Sequence, residues 1–335
     1  MKCIGASLAL ALLCSSMTAP ALANTETAAL SAEQTAFIDA LVEQHQLDRT
    51  RLQQLLGSAK VNQEVLEAIQ RPWEAKPWHQ YHPIFLTEKR LAAGVAFWQE
   101  HEATLARAEA EFGVPAEVIV AIIGVETFYG TYLGKHNVLD TLYTLGFHYP
   151  PRATFFRKEL GEFFRLTEEE GLPATELQGS YAGAMGYGQF ISSSCRHYAI
   201  DFDNDGVRDL LTNPIDAIGS VANYFAKHRW QAGAPVAVQL SATEANAALA
   251  SEGLKLNSTV AELTKQGLQV PENVTLTPES KAKVFAFELE QGHDYWLGLQ
   301  NFYVITRYNH SPLYAMVVHQ FSQQLARTKQ GTSSQ

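Results

Sequence analysis

The sequence predicts a mainly α fold of the α+β class, in which a helical body carries a small β-containing subdomain. Residues 31–130 read as consecutive helices with start and stop signals. A glycine- and aromatic-rich stretch with short helices follows up to Pro214, and short alternating apolar runs begin at Val236. At 335 residues and 46% hydrophobic, the chain can bury one large core or two modest ones.

The first 23 residues, MKCIGASLALALLCSSMTAPALA, predict a secretory signal peptide. They combine an early lysine, a short apolar stretch and a small-x-small site at residues 21–23, so we expect cleavage before Asn24 and export. A lipid anchor at Cys14 is the alternative. Leu13 stands where lipoprotein sites have a small residue, and we therefore favour the signal peptide.

Helix signals define an N-terminal helical region at residues 24–112. Ser31 and Gln34 form a capping box, and Gly113 closes a long helical segment that begins at Thr87. A helical core is predicted at residues 113–232, where Pro115 starts a helix that ends near residue 130.

The predicted β-containing subdomain covers residues 233–300. Its strands are the runs PVAVQL, AKVFAFELE and DYWLGL, in which apolar and polar residues alternate. The last part, residues 301–335, returns to helical spacing, and we expect it to close the helical core.

Glu126 interrupts the apolar run VPAEVIVAIIGV at the point where the pattern calls for another core residue. In the last turn of an apolar helix, desolvation and the negative end of the helix dipole both raise the pKa of a carboxyl group. A carboxylic acid that stays protonated can donate its proton to a leaving oxygen, as glycosidic bond cleavage requires. The alternative is a buried glutamate tied to the backbone or to an arginine.

The segment GSYAGAMGYGQF, residues 179–190, surrounds Ser180, Met185 and Gln189 with small and aromatic residues. Small side chains let a flat ligand approach the backbone, and aromatic rings offer sugars an apolar face. A saccharide-binding turn is one interpretation, and a sharp glycine-rich turn without a ligand is the other.

Charge and histidine spacing exclude other classes of partner. The formal net charge is −10 and no Lys/Arg-rich run occurs, which argues against nucleic acid or an anionic membrane surface as the main partner. The histidines show neither H-x-x-x-H nor H-E-x-x-H spacing, so we expect no zinc site.

Four motifs in order, AIIGVETFYG, SYAGAMGYGQF, DAIGSVANYF and FYVITRYNHSPLYAMVVHQF, resemble the bacterial lytic murein transglycosylases of the membrane-bound transglycosylase B type. The resemblance covers about Ser31 to Ala326. It implies a lysozyme-like helical core and a periplasmic enzyme that cleaves peptidoglycan glycan strands between N-acetylmuramic acid and N-acetylglucosamine. Other cell-wall enzymes are further partners to consider.

The resemblance also implies a mechanism in which Glu126 is the sole catalytic residue. As acid it protonates the glycosidic oxygen, and as base it takes the proton of the muramoyl C6 hydroxyl, which attacks C1 and leaves a 1,6-anhydro product. No water is consumed and no cofactor is needed. The second carboxylate that ordinary glycosidases place opposite the acid is therefore not required.

By the same resemblance, a set of polar and aromatic residues should line the substrate groove. Ser180 and Gln189 should hydrogen-bond the substrate near the scissile bond. Arg152 should meet a peptide or lactyl carboxylate, although Pro151 stands where the family often has a second arginine. Tyr224 and Asn309 should lie close to Glu126. The residues that should wall the groove are Tyr81, Phe190, Tyr308 and Tyr314. Met185 is added to the predicted substrate-binding residues from its place in the segment 179–190.

The segment DFDNDGVRDLLT, residues 201–212, matches the start of an EF-hand loop. Crowded carboxylates repel one another unless a cation lies among them, so we expect a weak structural calcium site. Thr212 stands where a bidentate glutamate belongs, and the alternative is a solvated acidic turn. The predicted ligand positions are Asp201, Asp203, Asp205, Val207 and Asp209.

Two other functions stay open on the sequence. A hydrolytic muramidase on the same fold would need Asp140, or an acid of the 201–209 loop, across the groove from Glu126. A non-catalytic peptidoglycan-binding envelope protein would need neither Glu126 nor an intact aromatic lining. We favour the transglycosylase because both features are retained.

Overall fold

The computed structural model describes residues 30–71 and 76–333, so the predicted signal peptide and Cys14 lie outside the described residues. The α-helices of this part of the chain are, in order, α1 (Ala32–His45), α2 (Arg49–Ser58), α3 (Gln63–Ala68), α4 (Trp78–Phe85), α5 (Glu88–Glu100), α6 (Glu102–Phe112), α7 (Ala116–Thr127), α8 (Val138–His148), α9 (Ala153–Glu169), α10 (Ser192–Tyr198), α11 (Pro214–Lys227), α12 (Glu244–Leu249), α13 (Val260–Lys265), α14 (Gln300–Tyr308) and α15 (Pro312–Ser333). The strands are β1 (His136–Asn137), β2 (Gln178–Gly179), β3 (Ala237–Leu240), β4 (Ser258–Thr259), β5 (Lys281–Glu288) and β6 (His293–Gly298). The mainly α prediction is confirmed.

Helix α7 forms the centre of the large core. Its apolar run places residues 118–125 at 8% exposure or less on every face, and a helix that is apolar all round must be covered all round. Helices α5, α6, α11 and α15 pack against it. The last of these, α15, comes from the C-terminal segment.

The small subdomain contains an antiparallel sheet of order β3-β6-β5-β4. Leu297 of β6 lies opposite Val238 of β3 on one side and Val284 of β5 on the other, and it is 0% exposed. These residues belong to a second cluster of buried apolar side chains, which is separate from the large core. The predicted strands are therefore present, while the exact domain boundaries stay a prediction.

Two helix boundaries differ from the expectation. The long segment from Thr87 to Gly113 is two helices, because His101 leaves the helical backbone at φ −110 and ψ 25. Pro115 is the N-cap of α7, and the helix begins one residue later. Among residues 30–71 and 76–333, no helix has the length and apolar character needed to cross a membrane.

Candidate active site

Glu126 lies in the last turn of α7 and is half-buried between the nearly buried Val125 and Thr127. The chain leaves the helix through Phe128 and Tyr129, whose φ angles are 51° and 58°. Two successive non-glycine residues in the left-handed region are uncommon and cost free energy. The sharp turn they make ends α7 at the carboxylate.

Thr127 and Tyr129 hold this helix end in place. The Thr127 hydroxyl donates to the Tyr187 carbonyl at 2.9 Å and accepts from the Gly130 amide at 3.0 Å. The Tyr129 ring fits against a helical glycine, since a Cβ added at Gly124 would come within 2.4 Å of the Tyr129 Oη. The end of the helix that carries Glu126 is thus held by two residues that follow it.

Tyr314 donates its phenol hydrogen to Glu126 Oε1 at 2.5 Å. Its side chain is 2% exposed, and burial together with the adjacent Glu126 raises the pKa of Tyr314 well above its usual value. The phenol therefore stays protonated and acts as a donor. A hydrogen bond donated to a carboxylate favours the ionised form of that group. The sequence predicted Tyr314 as a wall of the groove and did not predict this bond.

The predicted saccharide-binding turn is closed by paired backbone bonds between Met185 and Phe190, at 2.9 and 3.0 Å. Gln189 has a φ of 48°, and its side-chain amide donates to the Gly186 carbonyl at 3.0 Å. The Ser180 hydroxyl accepts from the backbone amide of residue 184 at 3.1 Å. Both predicted substrate residues thus also stabilise the turn itself.

Three aromatic side chains lie together beside this turn. Tyr308 is 5.7 Å from Phe190 and 4.8 Å from Tyr224, measured between ring centroids. Its hydroxyl donates to the Gly188 carbonyl at 2.6 Å, and the Tyr224 hydroxyl donates to the Arg307 carbonyl at 2.5 Å. Three of the predicted aromatic residues are therefore brought together, and the hydroxyls of the two tyrosines among them bond to backbone carbonyls of the protein.

A cavity of about 540 Å³ opens at these rings. Five predicted substrate residues line it, namely Arg152, Gln189, Phe190, Tyr224 and Tyr308. Lys158, Arg307 and the histidines at 197, 228 and 310 also line it, and sequence reasoning missed them. No Asp or Glu occurs among its lining residues in the described part of the chain, so the cavity favours an anionic ligand.

Two of the cavity histidines have lowered pKa values. Burial is the main cause for both His228 and His310, and the nearby Arg307 adds to it. The backbone carbonyl of Tyr224 opposes the effect at His228. At neutral pH these two histidines therefore add little to the positive charge that Arg152, Lys158 and Arg307 give the cavity.

The residues that line this cavity do not include Glu126 or the other five predicted substrate residues, which are Tyr81, Ser180, Met185, Asn309 and Tyr314. Tyr81 is 1% exposed and packs 5.1 Å from Phe85, so it presents almost no surface to a ligand. Met185, also 1% exposed, lines a separate apolar cavity of about 360 Å³ beside the acidic loop. Asn309 lies at the corner between α14 and α15.

Asp140, a carboxylate that the hydrolytic alternative would use, is hydrogen-bonded within the protein. Its carboxylate accepts from the Lys60 amide at 2.8 Å, and its own amide donates to the Asn137 side chain at 3.0 Å. Asp140 therefore ties the start of α8 to the segment before α3.

The acidic loop brings together Asp201, Asp203 and Asp205, each with a carboxylate oxygen within 4.8 Å of the others. Asp209 is not part of this cluster, because its Oδ1 accepts from the amides of residues 211 and 212 at 2.8 and 2.9 Å. Val207 is 52% exposed. The three grouped carboxylates are hard oxygen ligands of the kind Ca²⁺ binds, so the first half of the predicted site fits that ion.

Buried Asp216 fixes the ends of this loop. It is 0% exposed and accepts from the amides of Phe202 at 2.6 Å and Asp209 at 2.8 Å. The loop is therefore shaped by backbone bonds to a carboxylate that does not belong to the cluster.

Comparisons with known proteins agree with this geometry. A family model described as Transglycosylase SLT domain matches residues 30–323. Membrane-bound lytic murein transglycosylase B of Escherichia coli (strain K12) is 43% identical over 300 residues, which cover 87% of this chain and 81% of the relative.

Solved structures give the same result. Catenated lytic transglycosylase SltB1 from Pseudomonas aeruginosa aligns with a TM-score of 0.85 and 44% identity, over 90% of this chain and 99% of that chain. Escherichia coli lytic transglycosylase Slt35 in complex with calcium aligns with a TM-score of 0.80 and 42% identity, over 89% of this chain and 94% of that chain.

Proposed function

Since this chain belongs to the transglycosylase SLT domain family and is a peptidoglycan lytic transglycosylase, we propose that Glu126 is its one catalytic acid and base. The observation that supports this role is the half-buried carboxylate at the end of an apolar helix, with the Tyr314 phenol fixed on one of its oxygens. An orienting donor on one oxygen holds the carboxyl group in a single direction, which proton transfer requires.

In the proposed reaction, protonated Glu126 gives its proton to the glycosidic oxygen as the bond from C1 of N-acetylmuramic acid to that oxygen breaks. The sugar hydroxyl so formed leaves with N-acetylglucosamine. The Glu126 anion then takes the proton of the muramoyl C6 hydroxyl, whose oxygen forms a bond to C1. Glu126 ends protonated as it began, and the product carries a 1,6-anhydro ring.

Glu126→Gln tests the mechanism, because it preserves shape and removes the titratable proton. We expect anhydromuropeptide release from purified peptidoglycan, followed by mass spectrometry, to fall by about a thousandfold or more. The matched control is Glu117→Gln, at the other end of the same helix, which should retain wild-type activity. Substantial release by Glu126→Gln, or products one water heavier from the wild type, would refute the single-acid mechanism.

The positively charged cavity is proposed to receive the carboxylates of the peptidoglycan stem peptide. Arg152 is exposed there and its guanidinium lies 4.6 Å from the Phe155 ring centroid, which limits its freedom. Lys158 on α9 supplies a second cation where Pro151 offers none. Ser180, Gln189 and Asn309 are proposed to hydrogen-bond the sugars.

We also propose that Asp201, Asp203 and Asp205 bind one structural Ca²⁺, which would neutralise their mutual repulsion and supply no catalytic chemistry. If the Kd for Ca²⁺ is about 1 mM, an excess of Ca²⁺ should raise the Tm of the protein by about 2 °C. Asp203→Asn should abolish this rise, and Mg²⁺ should not reproduce it. An unchanged Tm in the wild type would refute the site.

The proposed location is the periplasm, reached by cleavage of the signal peptide before Asn24, with glycan strands as the substrate. N-terminal sequencing of the exported protein should begin at Asn24. Incorporation of labelled palmitate at Cys14 would instead establish a lipid anchor. Partner cell-wall enzymes should appear in cross-linking of intact cells.

A further inference from the structure

The loop that follows α7, residues 128–134, carries an aromatic ring that packing does not explain. Tyr132 is 66% exposed, more than any other large apolar side chain that the structure describes as exposed. The Phe128 ring stands edge-on to it, with centroids 6.1 Å apart and planes at 70°. A single exposed ring is ordinary on a protein surface, but the loop that carries this one is bonded to the predicted site.

The backbone of this loop is fixed to the predicted substrate residues. The Tyr132 amide donates to the carbonyl of Thr127, the residue after Glu126, at 2.9 Å. The next carbonyl, that of Leu133, accepts from the Gln189 side chain at 3.3 Å. The loop therefore bridges the end of the catalytic helix and the saccharide-binding turn.

Glycines bring the loop into direct contact with the rest of that turn. A Cβ on Gly134 would lie 2.1 Å from the Gly179 carbonyl oxygen and 2.6 Å from the Ser180 amide nitrogen. A Cβ on Gly130 would lie 2.4 Å from the Tyr187 ring. Gly130 and Gly134, one on each side of Tyr132, therefore both pack against the saccharide-binding turn, and the exposed ring projects from a loop that is anchored at both ends.

The neighbouring ring is held by cations. The Arg90 guanidinium lies 5.2 Å from the Phe128 centroid and the Lys89 ammonium 5.6 Å from it. Arg90 is itself bound to the carbonyls of Ile84 and Phe85 at 2.8 and 2.7 Å. The Phe128 ring therefore packs against these two cations and contacts the Tyr132 ring edge-on.

We propose that Tyr132 stacks on a pyranose ring of the glycan strand that lies beyond the two disaccharide units joined by the scissile bond. The axial C–H groups of a pyranose form an apolar face that matches an exposed phenol ring. The proposal rests on the proposed function, since it assigns a further contact for the same substrate. It makes Tyr132 a determinant of strand length, because a short strand has no sugar to reach it.

Tyr132→Ala tests this assignment on two substrates, glycan strands of two disaccharide units and long strands from the same peptidoglycan. We expect kcat/KM for anhydromuropeptide release to fall about fivefold on long strands, through KM, and to stay unchanged on short ones. Tyr132→Phe, which keeps the ring, should behave as the wild type. The Tm should not change, because the side chain is exposed.

Equal losses on both substrates, no loss on long strands, or a loss in Tyr132→Phe equal to that in Tyr132→Ala would overturn the stacking role. These outcomes are separable from a failure of the proposed function. If the wild type forms no anhydro product from either strand length, the proposed mechanism fails. If it forms that product and Tyr132→Ala shows no dependence on strand length, only the present inference fails.

Discussion

Tyr314→Phe removes one hydroxyl group and leaves the ring parallel to Tyr308, with centroids 6.5 Å apart and planes at 6°. The lost bond is the 2.5 Å donation to Glu126 Oε1. A hydrogen bond to a charged group contributes about 1.5–3 kcal/mol, and one pKa unit corresponds to about 1.4 kcal/mol. Because the donor favours the anion, its loss should make the carboxyl group easier to protonate by about one to two pH units.

The assay is the pH dependence of kcat/KM for anhydromuropeptide release. An acid must be protonated in the free enzyme, so activity falls as pH rises through its titration. In Tyr314→Phe we expect this descending limb to move to higher pH by about one unit or more. Tyr295→Phe in the small sheet is the matched control and should not move it. An unmoved limb in Tyr314→Phe, or one shifted to lower pH, would refute the reasoning.

Two further predictions concern stability. Gly124→Ala should lower the free energy of unfolding by about 1–3 kcal/mol, because the new Cβ would meet the Tyr129 Oη at 2.4 Å. Gly331→Ala, in α15 with no atom within 4 Å of the new Cβ, should not lower it in the same urea titration, because alanine favours a helix more than glycine does. Buried His319 has its pKa lowered to about 4, so the unfolded chain binds more protons than the native one between that pH and about 6.5. Stability should therefore fall by about 3 kcal/mol as pH drops through this window, and His319→Phe should flatten the profile; an equal pH dependence in both proteins would contradict this.

Helix α7 could be predicted closely because its signals are local. A proline precedes it, an apolar run fills it, and the run determines its burial. The break at His101, whose ring lies 4.5 Å from the Phe97 ring of the preceding turn, could not be predicted. Propensity and periodicity continue through this position without a sign of interruption.

The candidate site divides in the same way. Glu126 stood out because a carboxylate in an apolar run is a local contradiction. Its partner Tyr314 is 188 positions away along the chain, and no spacing rule relates the two. Met185 was assigned to the substrate because small and aromatic residues flank it, but its side chain lies on the inner face of the turn. Sequence pattern locates such a turn without deciding which side chains point outward.

The tyrosines connect these separate segments through their hydroxyls. Tyr308 bonds the end of α14 to the turn at Gly188, Tyr224 bonds α11 to the carbonyl of Arg307, and Tyr314 bonds α15 to Glu126. A phenylalanine in any of these places would fill the same volume and leave a carbonyl or carboxylate without that donor. One hydroxyl meets the acid and the other two meet backbone carbonyls, so a tyrosine-to-phenylalanine change should alter the pH profile at Tyr314 and the geometry of the turn at Tyr308. We infer that tyrosine occurs at these sites mainly because its hydroxyl joins one chain segment to another, and less because its ring forms an apolar wall.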